Sequence, residues 1–128
     1  MKLEYLADGS SDCPLIRLYD FNPADALRLR EAFRSVGDGT RQVLPLHEEW
    51  WIEPVEGCQL TLRSGARDLG VVPRLPMRFD CVLGGAAWRE MADKTVPFCE
   101  QLPENREVYQ WLNEDGEVPL LLSPSGKW

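Results

Sequence analysis

The sequence contains a single histidine, and this scarcity limits the catalytic chemistry that its 128 residues offer. A zinc-protease motif needs a second histidine four residues after the first, but the residue four after His47 is Trp51. No serine lies in the Gly-x-Ser-x-Gly turn that exposes a hydrolase nucleophile. The Gly126-Lys127 pair lacks the other residues of a phosphate-binding loop. We therefore predict no catalytic residues and favour a non-catalytic protein, with an enzyme kept as the alternative.

Close cysteine pairs and long apolar runs are also missing. The cysteines stand at positions 13, 58, 81 and 99, which excludes the paired spacing of a zinc knuckle or a redox dithiol. The longest uncharged run, Val118–Gly126, has nine residues, far fewer than the roughly 20 of a membrane-spanning helix. Glu4 and Asp8 interrupt the apolar core that an export signal needs. We expect reduced thiols in a cytoplasmic protein, with no metal site and no cofactor.

Positive charge is scarce as well. Lys and Arg total 14 against 21 Asp and Glu, which gives a net charge of −7. Because non-specific affinity for nucleic acid comes mainly from Lys and Arg, neither nucleic acid nor an anionic membrane is an expected partner. The charge is uneven: residues 57–89 carry five arginines and two aspartates, whereas residues 90–117 carry eight acids and two bases. Such a dipolar molecule suits docking on a complementary surface, although ordinary solvated faces give the same pattern.

Two helices are predicted from apolar spacing and from signals at their ends. The first, over residues 23–36, has Asn22 as a good N-cap and Pro23 at its first position. Its apolar residues recur three and four apart: Ala26, Leu29, Phe33 and Val36. The second spans about residues 86–96, and Pro97 is expected to end it. Its apolar face consists of Trp88, Met91, Ala92 and Thr95.

Alternation of apolar and polar residues predicts a set of short strands. They are Lys2–Leu6, Leu15–Phe21, Thr40–Leu46, Gly57–Arg63, Met77–Leu83, Glu107–Leu112 and Glu117–Leu122. The first two are expected to pair as a hairpin, and the last two to be joined by a turn over Asn113–Gly116. Residues 64–76 are rich in Gly and Pro and are interpreted as a loop around a short Val71-Val72 piece. Residues 47–55 are ambiguous between a strand and a helical turn.

This order of elements predicts an α+β fold. We expect a mainly antiparallel sheet of about 6–8 short strands with two helices packed on it, in a single domain over residues 1–128. The predicted core joins the apolar helix faces to Leu60, Leu62, Phe79 and Cys81. The Gly84-Gly85 pair before the second helix is interpreted as a turn, with a generic anion site as the alternative.

Weak catalytic equipment, net acidity and five tryptophans favour a protein that acts by binding another protein. The partner is expected to be a basic protein or a second copy of the same chain. An acidic inhibitor or immunity-type protein that masks a basic partner fits this charge by analogy alone. The alternative is a small-molecule-binding protein, or an enzyme, that uses a pocket between sheet and helices.

The candidate contact segment is residues 47–55, which contains adjacent tryptophans. If the segment is extended, alternate side chains point to opposite faces. Trp50 and Ile52 then share the face that resembles core, and Trp51 lies on the other face. A helical turn would change this pairing of faces, and packing of Trp51 under a loop is the competing interpretation.

On the extended interpretation, Trp51 lies between Glu49 and Glu53, with His47 further along the same face. Carboxylates are rarely buried without partners, so these acids are expected to draw Trp51 toward solvent. A large aromatic on a polar face is typical of an interface anchor. The predicted binding residues are therefore Trp51, His47, Glu49 and Glu53.

Overall fold

The computed structural model describes residues 1–101 and 108–128, which form two α-helices, three short 3₁₀ helices and nine β-strands. The helices are α1 (Pro23–Gly37) and α2 (Gly85–Thr95), and the 3₁₀ helices are Leu46–Glu48, Val55–Gly57 and Val96–Cys99. The strands are β1 (Lys2–Leu6), β2 (Leu15–Tyr19), β3 (Val43–Pro45), β4 (Glu53–Pro54), β5 (Gln59–Ser64), β6 (Gly70–Leu75), β7 (Arg78–Leu83), β8 (Gln110–Asn113) and β9 (Leu120–Ser123). The predicted α+β class is confirmed.

The strands form two mixed sheets instead of the one mainly antiparallel sheet that we expected. The first has the order β4-β1-β2-β9-β8, and the second has the order β3-β5-β7-β6. Four strand pairs are antiparallel, while β1/β4, β2/β9 and β5/β7 are parallel. Parallel pairing joins strands that are separated in the sequence, and alternation within a single strand does not reveal it.

Both predicted hairpins are present. β1 pairs antiparallel with β2, with Leu3 opposite Leu18. β8 pairs antiparallel with β9, although the connection between them is longer than the predicted Asn113–Gly116 turn. The Asn113 side chain shapes this connection, because its Oδ1 accepts a 3.0 Å hydrogen bond from the Asp115 N–H. The start of the predicted strand Glu107–Leu112 lies outside the described residues.

The loop predicted for residues 64–76 is wrong over its second half, because Gly70–Leu75 forms β6. This strand pairs antiparallel with β7 and lies at the edge of its sheet. Glycine and proline usually indicate loops, but an edge strand accepts Pro73 because its outer side has no strand to donate to. The predicted strand Thr40–Leu46 is shorter than expected and is reduced to β3.

The helices follow the predicted end signals. In α1 the Asn22 Oδ1 accepts a 2.9 Å hydrogen bond from the Asp25 N–H, as an N-cap should. The two helices approach closely at Gly37 and Gly85, where a Cβ on Gly85 would lie 3.0 Å from the Gly37 carbonyl oxygen. In the described part of the chain, no helix has both the length and the apolar character needed to cross a membrane.

A hydrophobic core joins both helices to the inner faces of both sheets. The predicted core residues all belong to it: Ala26, Leu29, Phe33, Val36, Leu60, Leu62, Phe79, Cys81, Trp88, Met91 and Ala92. Trp88 is fully buried, with its ring centroid 5.7 Å from that of Phe33 and its Nε1 donating to the Arg63 carbonyl oxygen at 3.2 Å.

Arg17 makes three contacts on one face of the β4-β1-β2-β9-β8 sheet. This face is opposite to the one that carries the core residues Leu3 and Leu18. Its Nη2 lies 2.6 Å from Glu4 Oε1, and its guanidinium carbon lies 4.0 Å from the centroid of the Tyr19 ring. Its Nη1 donates a 2.7 Å hydrogen bond to the Gly126 carbonyl oxygen. This contact holds the segment after β9 against the sheet, and Leu121 on the same face is fully buried.

Candidate functional site

An open groove of about 490 Å³ lies between α1 and the turn that follows β3. Side chains from α1 line one wall: Leu27, Arg28, Glu31, Ala32 and Ser35. The other wall and the floor come from Arg41, Leu44, Glu49, Trp50 and Trp51. Leu44 and Trp51 are buried, whereas Leu27 and Trp50 are exposed, so an apolar floor continues into an apolar rim.

Two successive turns build the wall that carries the tryptophans. The Glu49 N–H donates to the Leu46 carbonyl oxygen at 3.1 Å, which closes the 3₁₀ helix. The Ile52 N–H then donates to the Glu49 carbonyl oxygen at 3.0 Å, which closes a second turn with Trp50 and Trp51 at its centre. The first part of residues 47–55 is therefore turn and not extended strand.

Trp50 is the exposed tryptophan of this turn and Trp51 is the buried one, so the assignment of faces made for an extended segment is wrong, and the competing interpretation, a helical turn with Trp51 packed within the chain, fits the structure. Trp50 is 79% exposed, and Trp51 is 9% exposed. The alternation of faces on which the prediction relied applies only to extended chain, and the turn removes it. The main chain of Trp51 is also held by the first residue, because its carbonyl oxygen accepts a 3.0 Å hydrogen bond from the Met1 nitrogen.

Arg28 positions the exposed Trp50 ring. Its guanidinium carbon lies 4.6 Å from the ring centroid, within the range of a cation–π interaction. The Nη1 of Arg28 donates a 3.1 Å hydrogen bond to Asp25 Oδ1, three residues earlier on α1. A helical residue that is itself paired therefore contacts the exposed ring and favours one placement of it.

Two of the four predicted binding residues, Glu49 and Trp51, line the groove. Glu49 forms an ion pair with Arg41, whose Nη1 lies 3.2 Å from Glu49 Oε1. Trp51 contributes to the floor and not to the exposed surface predicted for it.

The other two predicted residues, His47 and Glu53, do not line the groove. The His47 Nδ1 accepts a 3.1 Å hydrogen bond from the Leu60 N–H, which ties the 3₁₀ helix to β5. Glu53 is exposed at the start of β4, with its Oε2 3.9 Å from Lys2 Nζ. The imidazole has a structural partner, and Glu53 belongs to a surface ion pair.

The sequence prediction missed Leu27, Arg28 and Trp50 as members of one surface. In the sequence, Leu27 lies next to the apolar stripe of α1 but outside it. This position is only a weak indication that the leucine is exposed. Because the groove combines α1 with a turn more than a dozen residues later, spacing along the chain could not reveal it. The one signal in the sequence for an exposed aromatic was the Trp50-Trp51 pair, because a tight turn buries only one of two adjacent side chains.

The start of α2 is already occupied by a carboxylate of the chain. The Gly84 N–H donates a 2.8 Å hydrogen bond to Asp68 Oδ1. This is the position that an external anion would take at a helix N-terminus. Gly84 is the N-cap residue of α2 and Gly85 is its first residue, so the pair begins the helix and does not form a separate turn, and Asp68 supplies the negative charge.

All four cysteines lie in the described residues, and all are free thiols. Burial raises the pKa of Cys58 and of Cys81 to about 12, and burial also raises the pKa of Cys99. The two most buried thiols thus stay protonated at neutral pH, which suits apolar packing better than nucleophilic attack. Within residues 1–101 and 108–128, no group of three His, Cys, Asp or Glu side chains is arranged to hold a metal ion.

Comparison of the chain with models of protein families, with curated proteins and with solved structures found no match. The groove is therefore interpreted from its own chemistry. Its exposed rim offers an indole and a leucine, its floor is apolar, and its Arg41 and Glu49 pair with each other. Such a surface suits contact with an apolar side chain surrounded by polar groups.

Proposed function

We propose that this protein acts by binding a basic protein partner, with Trp50 and the groove beside it as the contact surface. The observation that carries the proposal is the 79% exposure of the Trp50 side chain. Tryptophan is enriched among the few residues that dominate binding energies at protein interfaces. Leu27 is exposed on the same groove and extends the apolar contact area.

The contact of Trp50 with Arg28 supports its use as an anchor. Ordering a mobile side chain at an interface costs about 0.5–1.5 kcal/mol, and a side chain that is already held avoids much of this cost. Arg28 lies over the ring, and Asp25 in turn holds Arg28. This contact reduces the freedom that the indole would lose on entering a partner's pocket.

The net charge of the chain favours a basic partner, while the charged side chains that line the groove are balanced, Arg28 and Arg41 against Glu31 and Glu49. Residues 48–56 contain four glutamates and neither lysine nor arginine. Glu48 and Glu56 are exposed, whereas the exposed Glu53 forms an ion pair with Lys2 and Glu49 forms one with Arg41. Together with the net charge of −7, this segment attracts a surface that presents Lys and Arg around an apolar side chain. The association is expected to weaken as salt screens these charges.

The test compares partner capture by the wild type, Trp50→Ala and Leu69→Ala proteins. Leu69 is a matched control because it is an exposed apolar side chain that does not line the groove. Proteins captured from host cell extract are identified by mass spectrometry, and each candidate is then purified and titrated directly. We expect a basic protein that the wild type and Leu69→Ala bind equally, and that Trp50→Ala binds about 30-fold more weakly, as for the loss of about 2 kcal/mol.

If Trp50→Ala and the wild type recover the same proteins, Trp50 does not belong to the interface. Sedimentation of the purified protein over a concentration series tests the second copy as partner. If the wild type forms a dimer that the Trp50→Ala substitution dissociates, the partner is a second copy of the chain and not a basic protein.

The volume of the groove favours a second candidate function, the binding of a small molecule. About 490 Å³ falls within the range of ligand pockets, roughly 300–1,000 Å³. A compound that raises the melting temperature of the wild type but not of Trp50→Ala, in the absence of any Trp50-dependent protein partner, would favour this candidate.

A further inference from the structure

Three arginines and one aspartate lie together on the outer face of the β3-β5-β7-β6 sheet. Arg63 lies on β5, Arg74 on β6, and Arg78 and Asp80 on β7. The four side chains line a depression of about 280 Å³ that shares no residue with the Trp50 groove. We call these three arginines the arginine cluster.

One carboxylate serves two of these guanidinium groups. The Arg74 Nε donates a 2.8 Å hydrogen bond to Asp80 Oδ2. The Arg63 Nε lies 3.1 Å from Asp80 Oδ1, close enough for an ion pair but without the geometry of a hydrogen bond. Arg78 has no ion-pair partner in the described part of the chain. Two positive charges of the cluster thus remain uncompensated, on a chain whose net charge is −7.

Donors in the cluster greatly outnumber acceptors. A guanidinium group carries about five N–H donors, whereas a carboxylate offers about four lone-pair positions. The like charges of the three arginines also repel one another, and Asp80 offsets only part of that repulsion. A bound oxyanion would accept from the unused N–H groups and would relieve the repulsion.

An irregularity in β6 lies at Arg74, one of the three arginines. The register between β6 and β7 shifts between Pro73 and Leu75, and bulges of this kind re-aim side chains beside binding sites. The turn that follows has a left-handed residue, Met77, with φ of 64°. Non-glycine residues adopt this conformation infrequently, and here it joins the strand carrying Arg74 to the strand carrying Arg78.

We propose that the arginine cluster binds a phosphate monoester. A phosphate monoester carries about −1.5 to −2 charges at pH 7, which matches the two uncompensated positive charges, whereas a single carboxylate does not. Its three terminal oxygens fit the planar, bidentate fork that arginine presents. A nucleic acid backbone offers one charge per phosphate and is repelled by the acidic remainder of the chain. This ligand site goes beyond the proposed protein-binding function, and each stands or fails separately.

The experiment titrates the wild-type protein with inorganic phosphate at constant ionic strength and follows the arginine side-chain signals by NMR. Arg78→Gln is the informative variant because Arg78 makes no contact with Asp80 that its loss would break. Arg67→Gln is the matched control because Arg67 is exposed but does not line the depression. We expect saturable binding that Arg78→Gln weakens about tenfold, equivalent to about 1.4 kcal/mol, and that Arg67→Gln leaves unchanged.

Absence of saturable binding, or equal weakening by both variants, would overturn the site. A phosphoserine peptide and its glutamate counterpart identify the source of the phosphate. Tighter binding of the phosphopeptide than of inorganic phosphate would indicate a phosphoprotein, and equal binding would indicate a small phosphorylated ligand. Equal binding of the phosphoserine and glutamate peptides would contradict phosphate as the ligand class.

Discussion

Trp50 and Trp51 are neighbours in the chain, yet Trp50 is 79% exposed and Trp51 is 9% exposed. The turn closed between Glu49 and Ile52 separates the two indoles, placing one at the rim of the groove and the other in its floor. The pair therefore divides its roles: Trp51 contributes to packing, and Trp50 is available for contact.

This division predicts different effects of the same substitution at adjacent positions. Trp51→Ala should lower the free energy of unfolding by about 3–5 kcal/mol, the usual cost of deleting a buried aromatic. Trp50→Ala should change it by about 0.5 kcal/mol or less, because surface substitutions rarely cost more. Urea denaturation followed by circular dichroism measures both values, and comparable losses for the two variants would contradict the assigned positions.

How much the sequence could predict depends on how local each signal is. Asn22 marks the start of α1, and the predicted range 23–36 ends one residue before the helix does, so both ends were predictable from nearby residues. The parallel pairing of β2 with β9 joins opposite ends of the chain, and no local pattern indicates it. The groove was out of reach for the same reason, because α1 and the turn with Trp50 meet only through the tertiary fold.

The core prediction can be tested at Phe33, whose ring packs 5.7 Å from that of Trp88. Phe33→Ala should cost about 3–5 kcal/mol of stability, since the fully buried ring leaves a cavity. Leu27→Ala on the same helix removes a side chain that is exposed, and it should cost far less. Urea melts of the two variants give the comparison, and a loss below about 1 kcal/mol for Phe33→Ala would be inconsistent with this core.

Gly116 brings the β8–β9 connection against the edge of β6. A Cβ at this position would lie 2.6 Å from the Val71 nitrogen and would also collide with the Val71 carbonyl oxygen. Both neighbours are backbone atoms of a strand, and moving them would disturb the strand itself. Gly116→Ala should therefore destabilise the protein by about 1–3 kcal/mol, the range for overpacking.

Gly39 provides the comparison for Gly116, because a Cβ at Gly39 would have no atom within 4 Å. Its only cost would be the backbone strain of a φ of 78°. Gly39→Ala measures the cost of backbone strain alone. Hydrogen exchange at the β6 amides adds a local readout, and we expect faster exchange only in Gly116→Ala. Unchanged exchange in that variant would show that the connection does not press on β6.

The buried thiols predict a loss of stability in alkaline solution. Burial raises the pKa of Cys58 and of Cys81 from 9.0 to about 12 in the folded protein. Above pH 9 the unfolded chain releases these protons while the folded chain retains them, so the unfolded state binds fewer protons. The free energy of unfolding should then fall by up to about 1.4 kcal/mol per pH unit for each thiol, and the full contribution is present below pH 9.

Cys81→Ala separates this effect from other alkaline titrations. The substitution lowers stability at neutral pH by removing buried volume, but it should also make the decline above pH 9 less steep, because one titrating thiol is gone. Cys13→Ala removes a half-buried thiol and serves as the control for general alkaline effects. Urea midpoints measured at stepped pH values give the slopes, and equal slopes for Cys81→Ala and the wild type would mean that the Cys81 thiol ionises as readily in the folded chain as in the unfolded one.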